Sequence, residues 1–168
     1  MQPKVGYVKQ TILKANGILD DAVQFVIEKQ LKNRVLWGKF NEVYTTREDT
    51  WEEIILGQSY GKQYRWRGEF FGKQMRGAAL VYQYTKNEEL YDILTETVLD
   101  LLPRQDEFGR FSTYPVEDEY NGWDVWCRKY VLVGMLYYRS ICKDEALKER
   151  ILTACKKHLD YICESLYN

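Results

Sequence analysis

The sequence predicts an all-α fold, a partial α/α toroid of helical hairpins with an inner and an outer layer. Three observations carry this. Two stretches, about Arg67–Tyr84 and Asn121–Cys142, are apolar on nearly every side, and a helix of that kind needs cover all round. Each is followed by a short capped turn and then a helix with one apolar face. The two units also repeat, pairing Trp66 with Trp123, Gly77 with Gly134, Lys86 with Lys143, Glu88 with Glu145 and Leu90 with Leu147. An inner helix with neighbours all round, followed by an outer helix with one wet side, is the order that two concentric layers require.

Taken in order, Met1–Asn16 is mixed in character and reads as a surface segment. Gly17 breaks it from a first helix, about Ile18–Trp37, in which Ile18, Leu19, Ala22, Val23, Val26, Leu31 and Val35 recur at helical spacing. Asp20 and Asp21 sit in its first turn, where they favour the helix dipole. Gly38–Arg65 carries few sustained patterns. Within it, Thr50–Leu56 reads as a short helical turn, and Gly57 and Gly61 bracket a loop. A connection of this length is uncommon without a function or local structure of its own.

The helix from Arg67 to Tyr84 carries Phe70, Phe71, Met75, Leu80 and Val81, with small residues Gly72, Gly77, Ala78 and Ala79 that allow close approach. Asn87 caps the next helix, whose apolar face is Leu90, Ile93, Leu94, Val98, Leu101 and Leu102. Pro103 lies just past its end. Arg104–Gly122 reads as a loop with a short strand near Arg110–Tyr114 and a solvated acidic run at Glu117–Glu119. Asn121 is the expected cap of the central helix, with Asp124 reaching back. Asp144 caps a last helix ending near Leu166, with Leu147, Ile151, Cys155, Leu159, Ile162 and Leu166 on its apolar face.

The chain has 168 residues, enough for one domain that buries roughly 70% of its unfolded surface. A net charge of −1 with dispersed basic residues argues against nucleic acid. The longest apolar run, Tyr130–Tyr138, is too short for a membrane span. No signal peptide is recognised, so a cytoplasmic protein is expected. Four cysteines without CxxC spacing read as free thiols. The 14 Tyr, 5 Trp and 6 Phe are a high count, and aromatics with a polar edge suit sugar faces as well as a large core.

Three motifs occur in order: Trp66-Arg67-Gly68-Glu69-Phe70-Phe71-Gly72-Lys73-Gln74-Met75-Arg76-Gly77-Ala78, then Phe108-Gly109-Arg110-Phe111-Ser112-Thr113-Tyr114-Pro115, then Trp123-Asp124-Val125-Trp126-Cys127-Arg128-Lys129-Tyr130. Together they resemble the N-terminal portion of the catalytic domain of glycoside hydrolase family 127, the β-L-arabinofuranosidase-like proteins, from about Ile18 onward. The resemblance implies an (α/α)₆ barrel and hydrolysis of terminal β-linked arabinofuranosides by a zinc-bound cysteine nucleophile with a glutamate acid/base. Those groups belong to a later part of the family's domain, so no catalytic residue, metal ligand or cofactor is assigned to this chain. Trp123 and Asp124 stand where the arabinofuranosidases proper carry a His and a Glu, which points to a branch acting on another glycoside.

Residues 1–168 are therefore expected to form a single domain that is an incomplete portion of a larger barrel, inactive alone. Its inner helices, Val131–Tyr138 above all, should expose an apolar patch beyond the roughly 600 Å² usual for a monomer, calling for self-association or a partner chain. The candidate sugar-binding residues are Arg67, Glu69, Tyr114, Trp123, Asp124 and Trp126, with Asp124 and Arg67 bonding hydroxyls and Tyr114, Trp123 and Trp126 stacking. The competing reading of Glu69–Lys73 and Asp124–Arg128 is a pair of i,i+4 ion pairs. Cys127, beside two cations at a helix start, is a weak nucleophile candidate, and His158 reads as structural or exposed. Two other functions fit the same residues: a non-catalytic helical module that binds a sugar or a protein, and an aspartate-dependent toroid enzyme like the unsaturated glucuronyl hydrolases, in which Asp124 is essential.

Overall fold

A computed structural model of the chain describes residues 15–46 and 61–167. The elements are α1 (Ile18–Val26), a π-helical turn (Ile27–Leu31), α2 (Arg34–Thr46), a 3₁₀ stretch (Gly61–Gly68), α3 (Glu69–Thr85), α4 (Glu88–Leu101), α5 (Asp124–Ile141) and α6 (Glu145–Tyr167). The fold is all-α, with no strand among the described residues.

The inner layer is α3 and α5, lying side by side in the same direction. Glycine makes this possible at one point: a Cβ on Gly72 would overlap the Tyr130 carbonyl, and one on Gly134 would lie 2.7 Å from the Gly72 Cα. Gly77, by contrast, faces open space, so it is Gly72 rather than Gly77 that meets Gly134. Around this contact Phe71, Met75, Ala78, Val131, Met135 and Tyr138 fill the core.

The outer helices α4 and α6 return along their partners. Both are capped in the same way, which gives the repeat a physical meaning. Asn87 Oδ1 accepts from the Leu90 amide at 2.9 Å, and Asp144 Oδ1 accepts from the Leu147 amide at 3.1 Å. The Tyr138 hydroxyl donates to Thr95 Oγ1 at 2.8 Å, and the Tyr91 hydroxyl accepts from the Lys143 amide at 2.9 Å, tying one hairpin to the next. α2 lies against α4, where Asn41 Nδ2 donates to the Thr97 carbonyl at 2.8 Å and to Asp100 Oδ2 at 2.9 Å.

Several expectations need correction. The first helix does not run unbroken to Trp37. A π turn interrupts it, the Asn33 side chain caps a fresh helix at the Leu36 amide, and that helix continues to Thr46. The Thr50–Leu56 turn and the loop after Gly57 lie outside the described residues. No strand forms at Arg110–Tyr114; all five residues are buried in irregular backbone. Asn121 does not cap α5. Trp123 holds the N-cap position without a side-chain bond, while Asp124 Oδ2 does reach back, to the Tyr120 amide at 2.9 Å. On α6 the inward position is His158 rather than Leu159, and both Leu159 and Leu166 are exposed.

Candidate functional site

The parallel run of α3 and α5 brings their first turns to one end of the molecule, beneath the 3₁₀ stretch. There a cleft of about 340 Å³ is lined by Trp66, Glu69, Lys73, Trp123 and Trp126. Its aromatic walls are open to ligand: Trp123 is 57% and Trp126 40% exposed. The two indoles meet edge to face with centroids 6.0 Å apart, and Trp126 meets Tyr130 at 5.1 Å.

Glu69 supplies the carboxylate of the cleft. Its Oε1 accepts from Lys73 Nζ at 2.6 Å, and its Oε2 accepts from the Trp126 indole N–H. The second bond joins equivalent positions of the two repeat units, so the repeat itself builds the cleft wall. Lys73 was visible in the sequence only as the i,i+4 partner of Glu69; its place on the wall follows from that spacing once the two helix starts are juxtaposed.

Behind this wall lies a buried polar network. Asp124 is 0% exposed, and its oxygens accept from Ser112 Oγ at 2.6 Å, from the Tyr120 amide and from Arg128, which lies 2.8 Å away. Arg128 also donates to Glu119 at 2.9 Å, and Arg110 donates to Glu119 at 3.0 Å and to Asp106 at 2.7 Å. Burial works to raise the Glu119 pKa, but bonds from Arg128, Tyr161 and Arg110 outweigh it and hold the carboxyl below its usual range. The acidic run is thus no uniform solvated loop: Glu117 is exposed, Asp118 pairs with Arg65, and Glu119 anchors two buried guanidiniums.

The candidate residues therefore separate. Glu69, Trp123 and Trp126 line the cleft. Tyr114 is buried, its hydroxyl accepting from the Trp123 backbone amide at 3.3 Å, so it braces the start of α5 rather than stacking on a ligand. Asp124 is walled off with its oxygens engaged, and the ion-pair reading describes it better than the hydroxyl clamp. Arg67 is half-buried, its guanidinium 5.5 Å from the Trp66 ring and off the cleft lining. His158 is structural: its Nδ1 accepts from the Phe111 amide at 3.0 Å, and burial pushes the imidazole pKa down to about 4.

Cys127 is a poor nucleophile. Its thiol donates to the Trp66 carbonyl at 3.0 Å, and burial, followed by the charge of Glu69, pushes it up to about 12. Among the described residues no cluster of three His, Cys, Asp or Glu side chains could hold a metal ion. These residues do not fit the zinc that the family resemblance implies. Nor is any described helix long and apolar enough to cross a membrane.

A family model described as the β-L-arabinofuranosidase, GH127 catalytic domain, matches residues 19–168. Neither the curated proteins nor the solved structures contain a match.

Proposed function

The chain belongs to the GH127 β-L-arabinofuranosidase catalytic-domain family, and from that premise we propose that its indole-lined cleft holds a sugar ring of a glycoside. The observation that carries this is the convergence of Trp66, Trp123 and Trp126 on one carboxylate and one ammonium group. Indole faces match the apolar C–H face of a sugar, while Glu69 accepts from hydroxyls and Lys73 donates to them.

The reading assigns these residues binding and orientation, not bond cleavage. Glycoside hydrolysis needs a second group across the scissile bond, a nucleophile about 5 Å away or a base further off. The described cleft carries one carboxylate, itself bonded to Lys73 and Trp126. The zinc and cysteine chemistry of the family enters no step here.

Calorimetric titration with methyl β-L-arabinofuranoside, methyl β-D-xyloside and methyl β-D-glucoside tests the reading. At least one of them should bind, and Trp126→Ala should weaken that binding by roughly fivefold to tenfold, the worth of about 1 kcal/mol of stacking. Unchanged affinity in Trp126→Ala contradicts it.

A second reading, self-association through the inner layer, is favoured by apolar side chains left uncovered on α5. Val125 is exposed, and Leu136 is 49% exposed, beside half-buried Leu132 and Tyr137. A second copy offering the same flank would bury them. Sedimentation velocity at micromolar concentration should give a species heavier than the 20.1 kDa monomer; a single monomeric boundary contradicts this second reading.

A further inference from the structure

Charge at the edge of the cleft does not balance. Lys73 and Lys129 project toward the same aromatic pair: their Nζ atoms lie 4.9 and 4.0 Å from the Tyr130 ring centroid, and 5.9 and 3.5 Å from that of Trp126. Between them stands one carboxylate, Glu69, which is ion-paired to Lys73 at 2.6 Å. Lys129 is exposed and has no carboxylate within ion-pair distance among the described residues. Its neighbour Asp124 cannot serve, because that charge is buried and matched by Arg128 at 2.8 Å. The lining itself is neutral, Lys73 against Glu69, and just outside it one further positive charge, Lys129, stands 3.5 Å from the ring centroid of Trp126, an indole that we have read as a sugar platform.

A lysine held over an aromatic ring is partly desolvated and loses little further freedom when it meets an anion. A neutral sugar leaves that charge unmatched. A sugar bearing a carboxylate supplies the missing counter-ion while its ring stacks on the indoles. We infer that the cleft selects an acidic glycoside, a uronate-type sugar whose carboxylate pairs with Lys129 while its hydroxyls meet Glu69 and Lys73. This rests on the sugar-binding reading above and names its substrate class.

The test compares matched sugars that differ only at C6. The full chain is titrated with glucuronate against glucose and with galacturonate against galactose, by calorimetry in low salt. The acid of at least one pair should bind about tenfold more tightly than its neutral partner, as expected for a charge-assisted hydrogen bond. That preference should shrink as salt is raised. Lys129→Gln, at an exposed position, should bring the affinity for the acid down to that for the neutral sugar. Equal affinities within both pairs, or a preference that survives Lys129→Gln, overturn the acidic-sugar inference while leaving sugar binding intact. Binding of neither member of either pair, with no binding of the methyl glycosides, overturns the sugar-binding reading and this inference with it. Sodium acetate matching the uronates in affinity also overturns it, since the site would then recognise an anion without a sugar.

Discussion

Asp124 sits in the first turn of α5 with its oxygens bonded to Ser112, Tyr120 and Arg128, and Arg128 is itself wholly buried. Removing one charge of such a pair leaves the other without compensation in a medium that solvates it poorly. Asp124→Asn should therefore cost about 3 kcal/mol of unfolding free energy in a urea titration, although the side chain touches no ligand. A cost below about 1 kcal/mol would show that Glu119 alone satisfies Arg128. An activity loss in Asp124→Ala would for the same reason not identify a catalytic aspartate. His158 gives a pH signature. Its folded pKa of about 4 lies below the unfolded value of 6.5, so the unfolded chain takes up a proton first as pH falls. Its contribution is fully present above pH 6.5 and is lost toward pH 4, at most about 3 kcal/mol. The difference in unfolding free energy between wild type and His158→Gln should narrow over that window; a constant difference contradicts the assignment. At this scale the sequence showed which groups carry charge but not which were buried. Glu119 and Asp118 stand in one acidic run, yet only the fold brings Arg110 and Arg128 to Glu119.

Helix α3 contains two glycines that look alike in sequence and differ in what they face. A methyl group at Gly72 would drive into the backbone of α5 at Tyr130, whereas Gly77 faces open space. Gly72→Ala should destabilise by about 3 kcal/mol or prevent folding. Gly77→Ala should stabilise by about 0.5–1 kcal/mol through helix propensity. Thermal melts of the pair read both signs, and similar effects at the two positions would mean that α3 and α5 do not meet at Gly72. The amphipathic helix from Glu88 to Leu101 was legible, because a cap at Asn87 and the apolar stripe Leu90, Ile93, Leu94, Val98 and Leu101 agree, although Tyr91 and Thr97 are buried beside it. The segment Arg110–Tyr114 was not. Its alternation of polar and apolar residues suggests a strand with one wet face, but every one of these side chains is buried: Ser112 and Thr113 find partners in other elements, and Arg110 finds Asp106 and Glu119 within its own loop. The restart of helix at Arg34 is hidden in the sequence, because apolar spacing continues across the π turn, although its cap, Asn33, stands there.

On the scale of the molecule, the layered arrangement was legible because a repeat places equivalent residues at equal heights on parallel neighbours. That is why Glu69 and Trp126 meet, and why Trp66 shares one cleft with the sequence-distant pair Trp123 and Trp126. What the repeat could not show is which residues of the motifs face the cleft and which brace it from behind, since both kinds lie within one helical turn. The open flank of α5 belongs to this scale too. If that flank joins two copies, Leu136→Lys should shift sedimentation toward the monomer without lowering the melting temperature of the isolated chain; unchanged sedimentation of an associating protein would place the contact elsewhere. The exposed apolar face of α1, where Phe25 is 64% exposed, is where such a contact would then be sought.

The central claim, that a sugar sits against the indoles at the meeting point of α3 and α5, is tested most directly by the indole N–H resonances in a ¹⁵N–¹H spectrum. Trp37 provides an internal control, because its N–H is buried and donates to the Leu31 carbonyl at 2.8 Å on the α1–α2 side. On titration with glucuronate, galacturonate and the methyl glycosides, the signals of Trp123 and Trp126 should move in a saturable way while that of Trp37 stays fixed. Saturable shifts at Trp37 alone, or no shift at Trp123 and Trp126 with any of these sugars, would contradict the account.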